Sequence, residues 1–197
     1  MCSIIGYVGE FDKELINKIF FNSRIRGLHA FGFSYYQDNQ LKTNKYLTYK
    51  DFVDDIFSIK PNMFIAHFRY STSGDYKILE NNQPIQLNNK SIAFNGVISQ
   101  KNKSEMELEY DLILPEENDG YILINKYNDK NFVYKKNISF AMVGLENKKL
   151  FAIRNDKRPL HIYKGNNKQI ICSTKDILNR SGLKETNEIT EFQILEI

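Results

Sequence analysis

Cys2 directly follows the initiator methionine, and a cysteine in that position has chemistry open to no interior cysteine. Once Met1 is removed, one residue carries both an attacking thiol and a free α-amine able to relay its proton. Reference values of about 8.5 for a thiol and about 7.7–8.0 for an α-amine leave a useful fraction of each reactive at neutral pH. On position alone the same residue is merely an exposed terminal thiol. Other polar residues have equally plain readings when taken singly. Asn95-Gly96, between Ile92-Ala93-Phe94 and Val97-Ile98, suits a two-residue hairpin turn because both residue types tolerate positive φ. Arg69, just past an apolar run, reads as a surface or ion-paired arginine. Asp119-Gly120 reads as a turn or helix cap, and His67 as a hydrogen-bonded core histidine.

The elements that would position these residues follow from periodicity. A short apolar, β-branched run over 3–8 predicts a strand almost at the terminus, which anchors Cys2. Leu15, Ile16, Ile19 and Phe20 fall at helical spacing behind Asp12, predicting a helix over 12–23. Residues 31–36 and 41–46 flank a polar turn and predict a hairpin. A short helix over 51–57 is expected to stop at Pro61, ahead of a strand over 63–68. Another strand over 91–94 runs into Asn95. The polar stretch 100–118 carries Leu108, Tyr110, Leu112 and Leu114 without a decisive period. Strands are expected over 138–145, 150–154, 161–164 and 169–173, with Cys172 buried, then a helix over 174–180 and a final strand near 188–195. Two sets of strands with few helices predict an α+β domain of packed antiparallel sheets.

In combination and in order, these residues resemble the motif series of class II glutamine amidotransferases, the N-terminal-nucleophile hydrolase family. Met1-Cys2-Ser3-Ile4-Ile5-Gly6 resembles that family's opening, where loss of methionine exposes the cysteine. Arg26-Gly27, with Gly32 closing the segment, is similar to its next motif. Ala66-His67-Phe68-Arg69-Tyr70-Ser71-Thr72-Ser73-Gly74 and Asn81-Asn82-Gln83-Pro84 resemble the glutamine-binding region, most closely in the amidophosphoribosyltransferase branch. Phe94-Asn95-Gly96-Val97-Ile98 is similar to the oxyanion motif. Asp119 falls where the family places an acidic residue for the substrate's amino group, and Arg154, Arg158-Pro159-Leu160 and Ser173 resemble its C-terminal strands. The chain departs from the pattern at His29, commonly acidic or glutamine in relatives, at Phe94, where histidine is usual, and at Asn118 and Gly120 beside Asp119.

The resemblance implies a four-layer αββα fold with two packed, mainly antiparallel sheets, residues 1–197 forming one glutaminase domain. It implies Cys2 as nucleophile, with the Asn95 side-chain amide and the Gly96 N–H as donors to the developing oxyanion. Glycine is expected at 96 because the backbone must come close to the substrate. Arg69 would grip the α-carboxylate of L-glutamine through its planar fork, and Asp119 would pair with the α-ammonium. Tyr70, Thr72 and Gly74 would complete the substrate contacts, with Arg26 and His67 in support. No cofactor and no metal are implied. Relatives carry a fused ammonia-using domain, so the expected acceptor is a synthase that is a separate protein.

Composition narrows the alternatives. A length of 197 residues makes one domain the default, and 27 Lys and Arg against 24 Asp and Glu, net +3, is too small a surplus to argue for nucleic acid. No apolar run approaches the roughly 20 residues that cross a bilayer, and no signal peptide opens the chain. Two cysteines make no disulfide framework, which fits a reducing cytoplasm. Two further functions stay open at this stage: hydrolysis of another small amide, and a non-catalytic binding module that keeps the fold.

Overall fold

In the computed structural model, which describes residues 1–71 and 74–197, the chain opens with strand β1, Ser3–Gly9. Ile5 and Tyr7 face one side and Ile4 the other, the period-two alternation of a pleated strand. Helix α1, Lys13–Ser23, starts where expected because the Asp12 side chain accepts from the Leu15 amide at 3.0 Å. Strands β2, Ala30–Gln37, and β3, Gln40–Tyr46, make the expected hairpin, and its turn residues Asp38 and Asn39 have φ of 51° and 64°. Helix α2, Tyr49–Ile59, outruns its expected bounds at both ends. Thr48 caps its start, and Lys60, at φ 53°, ends it ahead of Pro61. Strand β4, Met63–Arg69, follows.

The middle of the chain departs most from expectation. A short strand β5, Ile85–Leu87, precedes β6, Lys90–Val97. Asn95 and Gly96 are therefore not a turn: they pair with Ala141 and Phe140 as interior residues of a ladder. The stretch 100–118 contains helix α3, Lys103–Tyr110, which opens on a reciprocal cap between Asn102 and Glu105. Two further short helices, α4, Gly120–Lys126, and α5, Lys130–Val133, had no counterpart in the sequence reading.

Strands β7, Ser139–Glu146, β8, Lys149–Arg154, β9, His161–Lys164, and β10, Lys168–Cys172, occupy the expected places, and Cys172 is buried. Helix α6, Lys175–Arg180, follows. The expected final strand is instead two, β11, Thr186–Glu188, and β12, Leu195–Glu196, and they belong to different sheets. Between them Ile189 is buried between the sheets, and Phe192, at φ 58°, turns the chain while its N–H donates to the Arg154 carbonyl at 2.8 Å.

One sheet has the order β11-β9-β10-β1-β4-β2-β3 and the other β12-β8-β7-β6-β5, with every pairing antiparallel. Three apolar layers hold them. The outer face of the larger sheet packs on α1, α2 and α6 through Phe20, Phe52, Phe64 and Ile177. The outer face of the smaller packs on α3, α4 and α5 through Met106, Ile122 and Phe132. The inner layer is lined by small and branched residues, among them Ile4, Ile65, Ala93, Ala141 and Ala152. The result is the expected four-layer αββα arrangement. Among the described residues, no helix is long and apolar enough to cross a membrane.

Phe52 is fully buried, its ring centroid 5.0–5.8 Å from those of Phe20, Phe31, Phe33 and Phe68. Phe52→Ala is expected to cost about 3–5 kcal/mol, read as a lower urea midpoint at unchanged slope.

Candidate active site

Most of the candidate residues come together because strand alternation continues past the end of the inner apolar layer, although neither Asn95 nor Arg26 lines the cavity formed there. On β4, Phe64, Ala66 and Phe68 face the helices, so Ile65, His67 and Arg69 face inward in succession. On β6, Ile92 and Phe94 face α3–α5, so Ala93 and Asn95 face inward. Ser3 pairs with Phe68, which sets Cys2 beside the end of β4. At this end lies a cavity of about 450 Å³, lined by Cys2, His67, Arg69, Tyr70, Gly74 and Gly96, with Asp119 on its far wall. Thr72 lies outside the described residues.

Cys2 Sγ donates to the Tyr70 carbonyl at 3.8 Å, and Arg26 Nε donates to the Cys2 carbonyl at 2.9 Å. Burial pushes the thiol upward, while the Tyr70 backbone bond, the terminal charge, Arg69 and Arg26 pull it down. Arg26 thus stands behind Cys2 and does not line the cavity. The Met1 thioether accepts from Arg26 Nη2 at 3.9 Å and from Arg158 Nη1 at 3.6 Å.

Arg69 is not a surface arginine; it is 9% exposed. Its Nη1 donates to the Asn81 carbonyl at 2.6 Å and to Asn82 Oδ1 at 2.7 Å, and its Nη2 to the Gly74 carbonyl at 3.3 Å. The guanidinium therefore organises residues 74–82 as well as facing the cavity, and burial lowers its pKa. His67 is fully buried, but neither ring nitrogen makes a hydrogen bond of regular geometry with the described residues. Burial, with Arg69 and Lys45 nearby, drives its pKa down to about 3, and only the Phe94 backbone favours a proton there. A permanently neutral imidazole cannot be a useful general base at neutral pH.

Asn95 is 4% exposed, and its Nδ2 has no hydrogen-bond partner among the described residues. A buried amide donor left unspent costs stability unless something uses it. Gly96 lines the cavity, yet its glycine identity has another cause. A Cβ there would sit 1.9 Å from the Ser139 carbonyl oxygen, so β7, rather than the cavity, excludes a side chain.

Asp119 precedes α4 but makes no side-chain cap to it. Its Oδ2 instead accepts from the amides of Ile98 at 2.7 Å and Ser99 at 3.2 Å, tying the end of β6 to the helix layer. Burial raises its pKa above the ordinary carboxylate value, against the opposing pull of those backbone bonds. Gly120 is glycine for close packing, since a Cβ would sit 2.2 Å from Ile85 Cδ1.

Sequence reasoning missed several wall residues. Gln100, Lys101, Met106, Glu117 and Asn118 all line the cavity, and all fall in the stretch that carried no decisive period. Gln83, whose Oε1 accepts from the Phe94 amide at 2.6 Å, was within the quoted motifs, but its link to β6 had no sequence signal.

No protein-family model matches the chain. Over its whole length it is 26% identical to an amidophosphoribosyltransferase of Methanothermobacter thermautotrophicus, covering 47% of that protein. It is 28% identical to a glutamine–fructose-6-phosphate aminotransferase (isomerizing) of Oceanobacillus iheyensis, covering 35% of it. Its fold matches that of the glutamine phosphoribosylpyrophosphate amidotransferase of B. subtilis with a TM-score of 0.75 at 18% identity, over the whole chain and 47% of that structure. The fold is that of a class II glutamine amidotransferase domain. The chain spans about half the length, or less, of these relatives. The likeness first drawn from short motifs therefore extends along the whole chain, α3–α5 included.

Gly96→Ala is expected to disrupt the β6–β7 pairing and lower stability by about 1–3 kcal/mol or more, measured by chemical denaturation. Loss of fold stability, and not only of any activity, distinguishes this cause from a purely substrate-facing one.

Proposed function

We propose that this class II glutamine amidotransferase domain is a glutaminase, hydrolysing the side-chain amide of L-glutamine through Cys2. The observation that carries the reading is that the Cys2 thiol opens onto the same cavity as Gly96, Arg69 and Asp119. Removal of Met1 turns the Cys2 nitrogen into an α-amine, which takes the thiol proton as sulfur attacks the amide carbon. The Asn95 Nδ2 and the Gly96 N–H stabilise the resulting oxyanion, each such donor being worth about 2.7–4 kcal/mol in a transition state. The carbon–nitrogen bond breaks, the amine returns the proton, and ammonia leaves a thioester. Water then attacks the thioester, releasing glutamate and regenerating the thiol. Arg69 holds the α-carboxylate and Asp119 the α-ammonium, while Tyr70 and Gly74 complete the substrate contacts. His67 and Arg26 support the site without touching the reacting atoms.

Both curated relatives are longer proteins whose names describe transfer to a second substrate. On this reading residues 1–197 are one domain working in the cytoplasm, and the ammonia goes to a synthase that is a separate protein. Affinity capture from the native host, scored for a synthase whose turnover becomes glutamine-dependent on adding this chain, tests that partnership. A second reading, a non-catalytic module that binds a small amide, is prompted by Phe94 and by Asn118 and Gly120 beside Asp119, where the chain departs from the family pattern.

Two experiments decide between these readings. Intact-mass measurement should find Met1 absent from active protein, and Cys2→Ala should abolish glutamine-dependent ammonia release while leaving the thermal midpoint nearly unchanged. Ammonia release by the alanine variant would end the mechanism. The second experiment exploits the raised pKa of Asp119. A carboxyl whose folded pKa exceeds its unfolded value adds stability in acid, and that contribution is lost as pH rises through the interval between the two. Asp119→Asn keeps an oxygen for the Ile98 and Ser99 amides but removes the charge. It should therefore melt higher than wild type at about pH 7, with the gain shrinking towards about pH 4, while the KM for glutamine rises about tenfold or more.

A further inference from the structure

The peptide unit joining Tyr70 to Ser71 has a side chain at each of its polar ends. Its carbonyl oxygen accepts from Cys2 Sγ at 3.8 Å, and its N–H donates to His29 Nδ1 at 2.9 Å. A trans peptide is planar with its N–H and C=O opposed, so neither end turns without the other. His29 is itself held on several sides. Its backbone N–H donates to the Arg69 carbonyl at 3.0 Å, continuing the β2–β4 ladder. Its ring lies between those of Tyr70 and Tyr76, with centroids 5.0 Å and 4.9 Å away and interplanar angles of 26° and 21°. With Nδ1 accepting, the ring proton of the neutral imidazole resides on Nε2.

We propose that His29 is a positioning residue for the nucleophile: the lone pair on its Nδ1, acting through the rigid Tyr70–Ser71 peptide, sets the carbonyl against which the Cys2 thiol rests. The assignment builds on Cys2 as the attacking residue. A sulfur donor 3.8 Å from its acceptor is held weakly, so a modest rotation of the peptide releases it. His29 neither lines the cavity nor reaches the reacting atoms. Its influence is confined to one plane, and the two tyrosines fix the ring that grips that plane.

The test compares wild type, His29→Phe and His29→Asn, each with a verified mature N-terminus. Phenylalanine keeps a ring between the tyrosines and removes the acceptor; asparagine keeps an acceptor and removes the ring. His29→Phe should lower kcat about tenfold, equivalent to about 1.4 kcal/mol for one lost hydrogen bond, with KM within about twofold. His29→Asn should retain kcat within about threefold. A kcat for His29→Phe within about twofold of wild type overturns the assignment, as does an equal loss in both variants. His29→Leu, also without an acceptor, replaces the phenylalanine variant if that one fails to fold.

Alkylation of Cys2 by iodoacetamide, followed by mass spectrometry against buried Cys172, gives a readout that needs no substrate. The acceptor-free variant should change the Cys2 rate by about threefold or more, and an unchanged rate overturns the proposal. A wild type without glutaminase activity, combined with an altered alkylation rate in the variant, sinks the glutaminase reading and leaves the positioning role standing.

Discussion

Everything at the candidate site depends on the alternation of side chains across a strand, applied to two sheets packed face to face. Along the inner face of β4 the sequence passes from Ile65 to His67 to Arg69, and along that of β6 from Ala93 to Asn95. The same faces that supply the apolar filling supply the polar groups two or four residues further on, with Ile4 and Cys2 following the same direction. A single-residue slip in either strand would send these groups to the opposite face of their sheet, against the helices. Register is therefore the condition on which the chemistry rests, and burial of Phe64, Phe68, Ile92 and Phe94 on the opposite faces enforces it.

That dependence explains what could be read beforehand. Strands β1, β4, β7, β8 and β10 are buried, β-branched or aromatic runs, and their places follow from composition alone. Asn95-Gly96 misleads because the dipeptide that suits a tight turn also suits a ladder in which one neighbour lies too close for a side chain. Nothing local distinguishes the two uses; the difference lies in Ser139, far along the chain. Helices α4 and α5 were invisible because each is too short to show a helical period, and they exist by joining the apolar layer on the outer face of the smaller sheet rather than by propensity. The candidate nucleophile was legible from its position and the company of motifs. The wall from Ser99 to Asn118 was not, because its residues meet the cavity through tertiary folding of an irregular stretch.

The site's electrostatics follow from burial shared among neighbours. Arg69 and Asp119 are both taken largely out of water, and each is compensated mainly by backbone groups rather than by the other: three carbonyl or amide oxygens for the guanidinium, two amides for the carboxylate. Such bonds hold the charges at fixed points on the cavity wall. Arg154 shows a purely structural use of the same device. Its Nε donates to the Ile189 carbonyl at 2.6 Å, and its Nη2 reaches Glu188 and Glu191 at 3.0 Å and 2.9 Å.

The segment from Thr186 to Glu196 gives a strand to each sheet and is gripped midway by Arg154. It works as a lacing that runs from one plate of the sandwich to the other. Lacing of this kind opposes both sliding and spreading of the plates at the edge where it crosses. The spacing so held is that of the two strands, β4 and β6, whose inner faces carry Arg69 and Asn95.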